Sequence, residues 1–148
     1  MRRAGVLVRI AGLLLAVSST PALGCSRPPP DATPDGAVRA FLDVMEAAED
    51  DAREMRRAYG LLGPAARANL EERARRTSRL QGRQVQPWDM LAAGRFGVAF
   101  RPKTMRSKLV GDRASVEVLG ADPLNERASV SCVHEAGGWR IEPELPGF

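Results

Sequence analysis

Cys132 and His134 are the residues whose side chains could carry nucleophilic or proton-transfer chemistry. A thiolate beside an imidazole can attack a carbonyl carbon, and an imidazole alone can move a proton near neutral pH. His134 is the only histidine of the 148-residue chain. Two positions along a strand separate side chains by about 7 Å, which is too far for a Cys–His pair. Two ligands are also too few for a metal site, so we predict no metal and no cofactor, and His134 is the remaining catalytic candidate.

Structural roles for these two residues are the favoured interpretation. Cys132 can pack as a small hydrophobic side chain, and His134 can end a strand with one hydrogen bond. Strand periodicity places both on one face with Ala128 and Val130, and we predict that this face points inward. A catalytic role would require the imidazole of His134 to enter a pocket.

Aromatic and acidic residues supply further candidates. The candidates for lining a ligand pocket are Tyr59, Trp88, Trp139 and Cys132. Core packing explains the same aromatic residues. Asp89 and Asp112 fall at a helix start and at a turn, where aspartate commonly has a structural role. These residues therefore define a possible binding site but no catalytic set.

Cys25 follows a segment with the features of an export signal. A positively charged head ends at Arg9, residues 10–17 are an uninterrupted apolar run, and small residues precede the cysteine. This order is typical of a secretory signal peptide. The run is too short to cross a bilayer, which needs about 20 apolar residues. We predict a signal peptide at residues 1–24.

The junction Ala22–Cys25 resembles the lipobox of bacterial lipoproteins, in which a diacylglycerol is attached to the cysteine sulfur before cleavage. The resemblance implies an acylated Cys25 that anchors the protein to the bacterial cell envelope. Ser26 is not the aspartate that retains such proteins at the inner membrane, so the resemblance implies the outer membrane or the cell surface. If Cys25 is free instead, it could form a disulfide with Cys132 in an oxidising compartment.

The segment after the anchor and the charge balance limit the possible partners. Residues 25–33 read as a linker, because Pro28–Pro30 favours a semi-rigid polyproline conformation. The chain has 22 basic and 18 acidic residues, and the three arginines of the signal leave 19 against 18 once it is removed. Nucleic-acid binding requires a concentrated basic face, which this balance does not provide.

Three helices and then several strands are predicted for residues 34–148. The first helix begins at Thr33-Pro34, the second ends at Gly63, and the third runs from Pro64 to Leu80. The arginines of the third helix could contact anionic lipid, but a solvated face is favoured. The charge pairs predicted on that face are Glu71–Arg75 and Glu72–Arg76.

From Phe96 onward the apolar period changes from 3.6 to 2, which predicts strands. Gly111-Asp112 reads as a two-residue hairpin turn, and the Gly-Gly pair before Trp139 closes a second hairpin. Helices followed by consecutive antiparallel strands are the order expected of an α+β domain. A meander of four or five strands is therefore predicted.

Three segments, Thr33–Met45, Gly111–Val118 and Glu135–Pro143, resemble the nuclear transport factor 2-like superfamily, and more narrowly its small bacterial lipoprotein domains of unknown function. The resemblance implies N-terminal helices packed on a curved antiparallel sheet, which gives a cone. Isomerase-like and polyketide-cyclase-like enzymes of this fold place an Asp or His inside the cone.

Three functional classes follow from these observations. We favour a membrane-anchored, non-catalytic binding module whose partner is an envelope protein or a small apolar ligand, because no catalytic set is visible. An isomerase- or cyclase-like enzyme with a pocket in the cone is the alternative. A structural envelope protein or an accessory of a transport system is the third class. One fold hosts many activities, so the volume of the cone and the direction of His134 discriminate between these classes.

Overall fold

The computed structural model describes residues 28–48, 51–91, 98–135 and 137–143. Within these ranges the protein has an α+β fold of three α-helices followed by a four-stranded antiparallel sheet, as the sequence predicts at this level. The helices are α1 (Pro34–Ala47), α2 (Ala52–Gly60) and α3 (Pro64–Gln81). The strands are β1 (Thr104–Val110), β2 (Arg113–Leu119), β3 (Arg127–Glu135) and β4 (Gly138–Ile141). Two short 3₁₀ helices span Pro30–Ala32 and Pro87–Leu91.

Helix α1 begins as predicted. The hydroxyl oxygen of Thr33 accepts a hydrogen bond from the backbone N–H of Gly36 at 3.1 Å, and Pro34 occupies the first turn. This cap satisfies one of the N–H groups that a helix start leaves unpaired. The apolar side chains of Phe41 and Met45 are buried, which orients α1 within the protein.

The connection between α2 and α3 borders the sheet. Leu62 forms an isolated parallel bridge to Ile141 of β4. The carboxylate of Glu142 then accepts a hydrogen bond from the N–H of Ala66 at 2.8 Å, at the start of α3. A Cβ atom at Gly63 would lie 1.8 Å from an oxygen of Glu142, so a larger residue here would displace the carboxylate from Ala66. A residue distant in sequence thus supplies the cap of α3.

The sheet has the order β1-β2-β3-β4, with each strand antiparallel to its neighbours. Gly111, with a φ of 63°, and Asp112 form the predicted turn between β1 and β2. The predicted strand around Phe96 is corrected: residues 92–97 lie outside the described ranges, and residues 98–103 are not in a strand. Pro102 lacks an N–H donor, which explains why pairing starts only after it.

Helix α1 and the inner side of the sheet share one hydrophobic core. Helix α1 contacts β1, β2 and β4. The fully buried side chains at this junction include Val38, Phe41, Val116, Val118 and Ile141. Since apolar burial contributes roughly 25 cal/mol per Å², this shared core is the main source of stability in the described residues.

Candidate functional site

Cys132 is buried in the core, on the face that the sequence predicts to be inward. It is 2 % exposed, and this burial raises the pKa of its thiol to about 12, with a further contribution from the charge of Asp35. The thiolate is the nucleophilic form of cysteine, and such a pKa keeps the thiol protonated at neutral pH. Cys132 therefore behaves as a packed side chain and not as a nucleophile.

His134 lies on the same side of β3 as Cys132 but is exposed at the end of the strand. Its ring packs edge-on against Trp139 of β4, with 5.1 Å between the ring centroids. Its backbone N–H donates to the carbonyl oxygen of Asp112 at 2.7 Å. The imidazole is on the predicted face but is not buried in the core, although Trp139, its partner in the register of β4, is buried.

Hydrocarbon side chains occupy the space between α1 and the sheet. Among the described residues no polar or charged residue is fully buried, whereas Phe41 is 1 % and Trp139 is 7 % exposed. Asp35 is half-buried, and its Oδ1 atom is enclosed without a hydrogen-bond partner. Asp35 lies in the first turn of α1, where the helix dipole favours a carboxylate.

The predicted pocket-lining aromatic residues separate into two places. Tyr59 and Trp88 meet edge-to-face with their ring centroids 6.3 Å apart, while Trp139 packs on His134. The guanidinium of Arg56 lies 4.7 Å from the centre of the Trp88 ring and covers it. Tyr59 and Trp88 therefore pack between α2 and the second 3₁₀ helix, whereas Trp139 packs within the sheet. The three rings do not line one common pocket.

The hydroxyl of Tyr59 donates a hydrogen bond to Glu71 at 2.8 Å. Burial, the hydrogen bond and the negative charge of Glu71 together raise the pKa of Tyr59 to about 12. The predicted Glu71–Arg75 pair is corrected accordingly, because Arg75 contacts Glu72 instead at 2.6 Å. The predicted pair of Glu72 with Arg76 is confirmed at 2.7 Å.

Other predicted features have local structural roles or fall outside the described ranges. A carboxylate oxygen of Asp89 accepts a hydrogen bond from the N–H of Gln86 at 3.0 Å, beside the second 3₁₀ helix. The described ranges contain no group of three or more metal-ligating side chains. None of the helices described in the structure is long and apolar enough to span a membrane. Cys25 and the predicted signal peptide lie outside the described residues.

A surface groove of about 610 Å³ lies between α1, α2 and the proline segment Pro28–Pro30. Its apolar lining comes from the prolines and from Ala40, Val44 and Ala47 of α1. Its charged lining comes from Arg39, Asp43, Glu54 and Arg57. A Cβ atom at Gly36 would lie 1.9 Å from the carbonyl oxygen of Pro30, so glycine allows the proline segment to lie on α1. We call this feature the α1 groove.

A smaller depression of about 240 Å³ continues from the α1 groove towards β1. The two recesses share Arg39 and Asp43, which are exposed and lie one turn apart on α1. Neither side chain has an ion-pair partner among the described residues. Small apolar side chains flanked by unpaired charges of both signs suit an extended polypeptide segment, because its backbone and charged side chains can use both kinds of surface.

No family model, curated protein or solved structure matched the chain in comparisons with known proteins. The resemblance to nuclear transport factor 2-like lipoproteins therefore stays a prediction. The assignment of a function depends on the chemistry of the sequence and on the geometry of the described residues.

Proposed function

We propose that the protein is a lipoprotein of the bacterial cell envelope, anchored to the outer membrane or cell surface through Cys25, and that it acts as a non-catalytic binding module. Its domain at residues 34–148 has helices packed on a curved, cone-like sheet. The α1 groove binds an extended segment of another envelope protein. The lipobox-like junction at Ala22–Cys25 supports the anchor.

One observation carries the choice of a binding module over an enzyme: the space between α1 and the sheet is occupied by apolar side chains, including Phe41 and Trp139. Proton transfer requires a titratable group within hydrogen-bond reach of a substrate. His134 is at the exposed end of β3, and the Cys132 thiol stays protonated. A small apolar ligand inside the cone is disfavoured for the same reason.

The position of the α1 groove supports a partner that resides in the envelope. Pro28 lines the groove and is the third residue after Cys25. A fully extended chain would therefore place Cys25 at most about 10 Å from Pro28. A lipid on Cys25 would therefore hold the groove close to the membrane surface. Confinement near a membrane raises the effective concentration of partners that are also confined there, so even a weak groove contact is populated.

Intact mass spectrometry tests the anchor. The chain expressed in a bacterium and extracted with detergent is expected to begin at Cys25 and to carry diacylglycerol and acyl mass. The Cys25→Ser variant is expected to lack this mass. A product of the unaltered chain that is cleaved near residue 25 without lipid would refute the anchor.

Photo-crosslinking tests the α1 groove. A crosslinking residue placed at Ala40, inside the groove, is expected to capture an envelope protein, and the same residue at Thr77 on α3 is the matched control. Exchange of the groove charges by Arg39→Asp with Asp43→Arg should abolish the captured band. A band that survives this exchange, or that also forms from Thr77, would contradict binding at the groove.

A further inference from the structure

The hairpin formed by β1 and β2 carries cations on its outer face that the fold does not use. Arg106 and Lys108 alternate along β1, and Arg113 begins β2. The register pairs Arg113 with Val110 and Lys108 with Ser115, so these side chains lie on the side of the sheet opposite the buried residues of β2. The three cations are exposed and have no ion-pair partner among the described residues.

The only carboxylate within the hairpin's own outer face is already paired. Glu117 lies opposite Arg106 in the register, but its side chain forms an ion pair with Arg127 of β3. A shallow depression of about 460 Å³ beside Arg106 and Lys108 is lined by the Glu117–Arg127 pair and by the hydroxyls of Ser115 and Ser129, which bond to each other at 2.9 Å. Hydroxyls and unpaired cations together are donors for phosphate oxygens.

The tip of the same hairpin is apolar. The exposed fraction is 55 % for Leu109 and 68 % for Val110, and both precede the turn at Gly111. Asp112 is the one acidic residue of the turn, and its carbonyl oxygen accepts the N–H of His134. Exposed aliphatic residues next to cations suit the boundary of a lipid bilayer, where phosphates lie above hydrocarbon.

Self-association through the open edge of β1 is disfavoured by the same charges. In an antiparallel pair of two β1 strands centred on Ser107, Arg106 of one copy would lie opposite Lys108 of the other. Like charges at directly opposed positions destabilise a sheet, and edge cations of this kind prevent strand pairing. Pairing of two copies in this register through the edge of β1 is therefore disfavoured.

We propose that the β1–β2 hairpin docks on an anionic phospholipid surface. Arg106, Lys108 and Arg113 bind the phosphate groups of lipids, and the side chain of Val110, which lies on the same face, enters the interface. This contact is independent of acylation at Cys25.

Vesicle co-sedimentation tests the proposal with residues 25–148 carrying Cys25→Ser, so that neither an acyl chain nor the predicted signal peptide, with its arginines and apolar run, contributes to binding. We expect binding to phosphatidylcholine vesicles that contain about a third phosphatidylglycerol, and at least tenfold weaker binding to phosphatidylcholine alone. The combined variant R106Q, K108Q and R113Q should lower the partition coefficient about a hundredfold, since each cation contributes roughly fivefold. Val110→Ser should lower it by a further factor of roughly five.

A matched control removes the same charge elsewhere. Arg53, Arg79 and Arg83 are exposed and lie outside the sheet, and their combined replacement by Gln should change binding less than about threefold. The proposal is overturned if this control loses as much binding as the hairpin variant, or if both vesicles bind equally. Should the triple variant unfold earlier than its parent on heating, Lys108→Gln alone gives the test, with an expected loss of about fivefold. Acylation is read by mass on the unaltered chain, so the two proposals can fail separately.

Discussion

The inner and outer faces of the sheet come from alternate residues of the same strands, yet their side chains differ in burial and in polarity. The inner residues Val116, Val118 and Ile141 are fully buried against α1. The outer residues Ser115 and Ser129 are exposed and bond to each other at 2.9 Å. The inner face therefore stabilises the fold and shields Cys132 from chemistry, while the outer face is available for contacts with other molecules.

The charged residues at the two ends of the outer face differ in whether they form ion pairs with the rest of the protein. At the β4 end, Arg140 is 18 % exposed and its guanidinium contacts Asp31 at 2.5 Å and Glu135 at 3.9 Å. Glu135 also accepts from Arg67 of α3 at 2.9 Å. These charges connect β3 and β4 to the helices and are used by the fold. The cations of the β1–β2 hairpin have no such partners among the described residues, which is why we assign binding to that end.

The largest expected effect tests the inner face. Phe41→Ala should lower the free energy of unfolding by about 3–5 kcal/mol, because it removes a buried ring and leaves a cavity. Urea denaturation measures this loss. Arg106→Ala on the outer face is the control and should change stability by less than about 0.5 kcal/mol. A loss below about 1 kcal/mol for Phe41→Ala would mean that the inner face is not the core.

A smaller loss should separate the two ends of the outer face. Arg140→Gln should lower the free energy of unfolding by about 2 kcal/mol, because it removes charge-assisted hydrogen bonds at a mostly covered site. Arg113→Gln removes the same charge from the exposed end and should be nearly neutral. In a double-mutant cycle, Asp31→Asn should couple to Arg140→Gln and not to Arg113→Gln. Equal losses at both arginines would abolish the distinction between the two ends.

Alkaline pH should expose the difference between a buried and a free thiol. The pKa of Cys132 is raised from its ordinary 9.0 to about 12, so the unfolded chain loses this proton at lower pH than the folded chain does. The stability from this group is complete below pH 9 and is lost as the pH rises towards 12. Unfolding measured against pH should therefore be flatter for Cys132→Ala than for its parent, from pH 9 upward. Tyr59→Phe should flatten only the range above pH 10, since Tyr59 shifts from 10.0 to about 12.

The smallest effects should come from neighbours on β3. Ser129→Ala removes an exposed hydrogen bond and should change the free energy of unfolding by less than about 0.5 kcal/mol. Val130→Ala, at the next position but on the inner face, removes two buried methyl groups and should cost about 1.5 kcal/mol. Thermal unfolding of the two variants gives the comparison. Similar midpoints would show that alternate positions of β3 are not in different environments.

Local sequence signals predicted the features that depend on neighbouring residues. The hydroxyl of Thr33 and the ring of Pro34 are sufficient to start α1, and Gly111 permits the positive φ of the first hairpin turn. The alternation along β2 and β3 correctly separated buried from exposed positions at Val116 and Val130. Such features arise from interactions within a few residues and leave a periodic pattern.

Contacts between distant parts of the chain left no such pattern. Glu142 caps α3 at Ala66, a hydrogen bond that joins positions 76 residues apart. Asp35 reads from the sequence as a helix-start carboxylate, and only the packing of α1 encloses one of its oxygens. The strand predicted from Phe96 onward is absent at residues 98–100 for a related reason, since alternation alone does not show which segment finds a pairing partner.

The sequence by itself determined the order of helices and strands and the apolar face of β2 and β3, because these follow from composition and period. The export signal and the anchor stay predictions from the sequence. The tertiary structure decided which side chains on each face are buried by distant elements and which stay exposed. It leaves His134 exposed at the end of β3, it separates Trp139 from Tyr59 and Trp88, and among the described residues it gives the hairpin cations no ion-pair partner. The exposure of a side chain and its ion pairs depend on which distant elements pack together. The period of the sequence alone does not predict that packing.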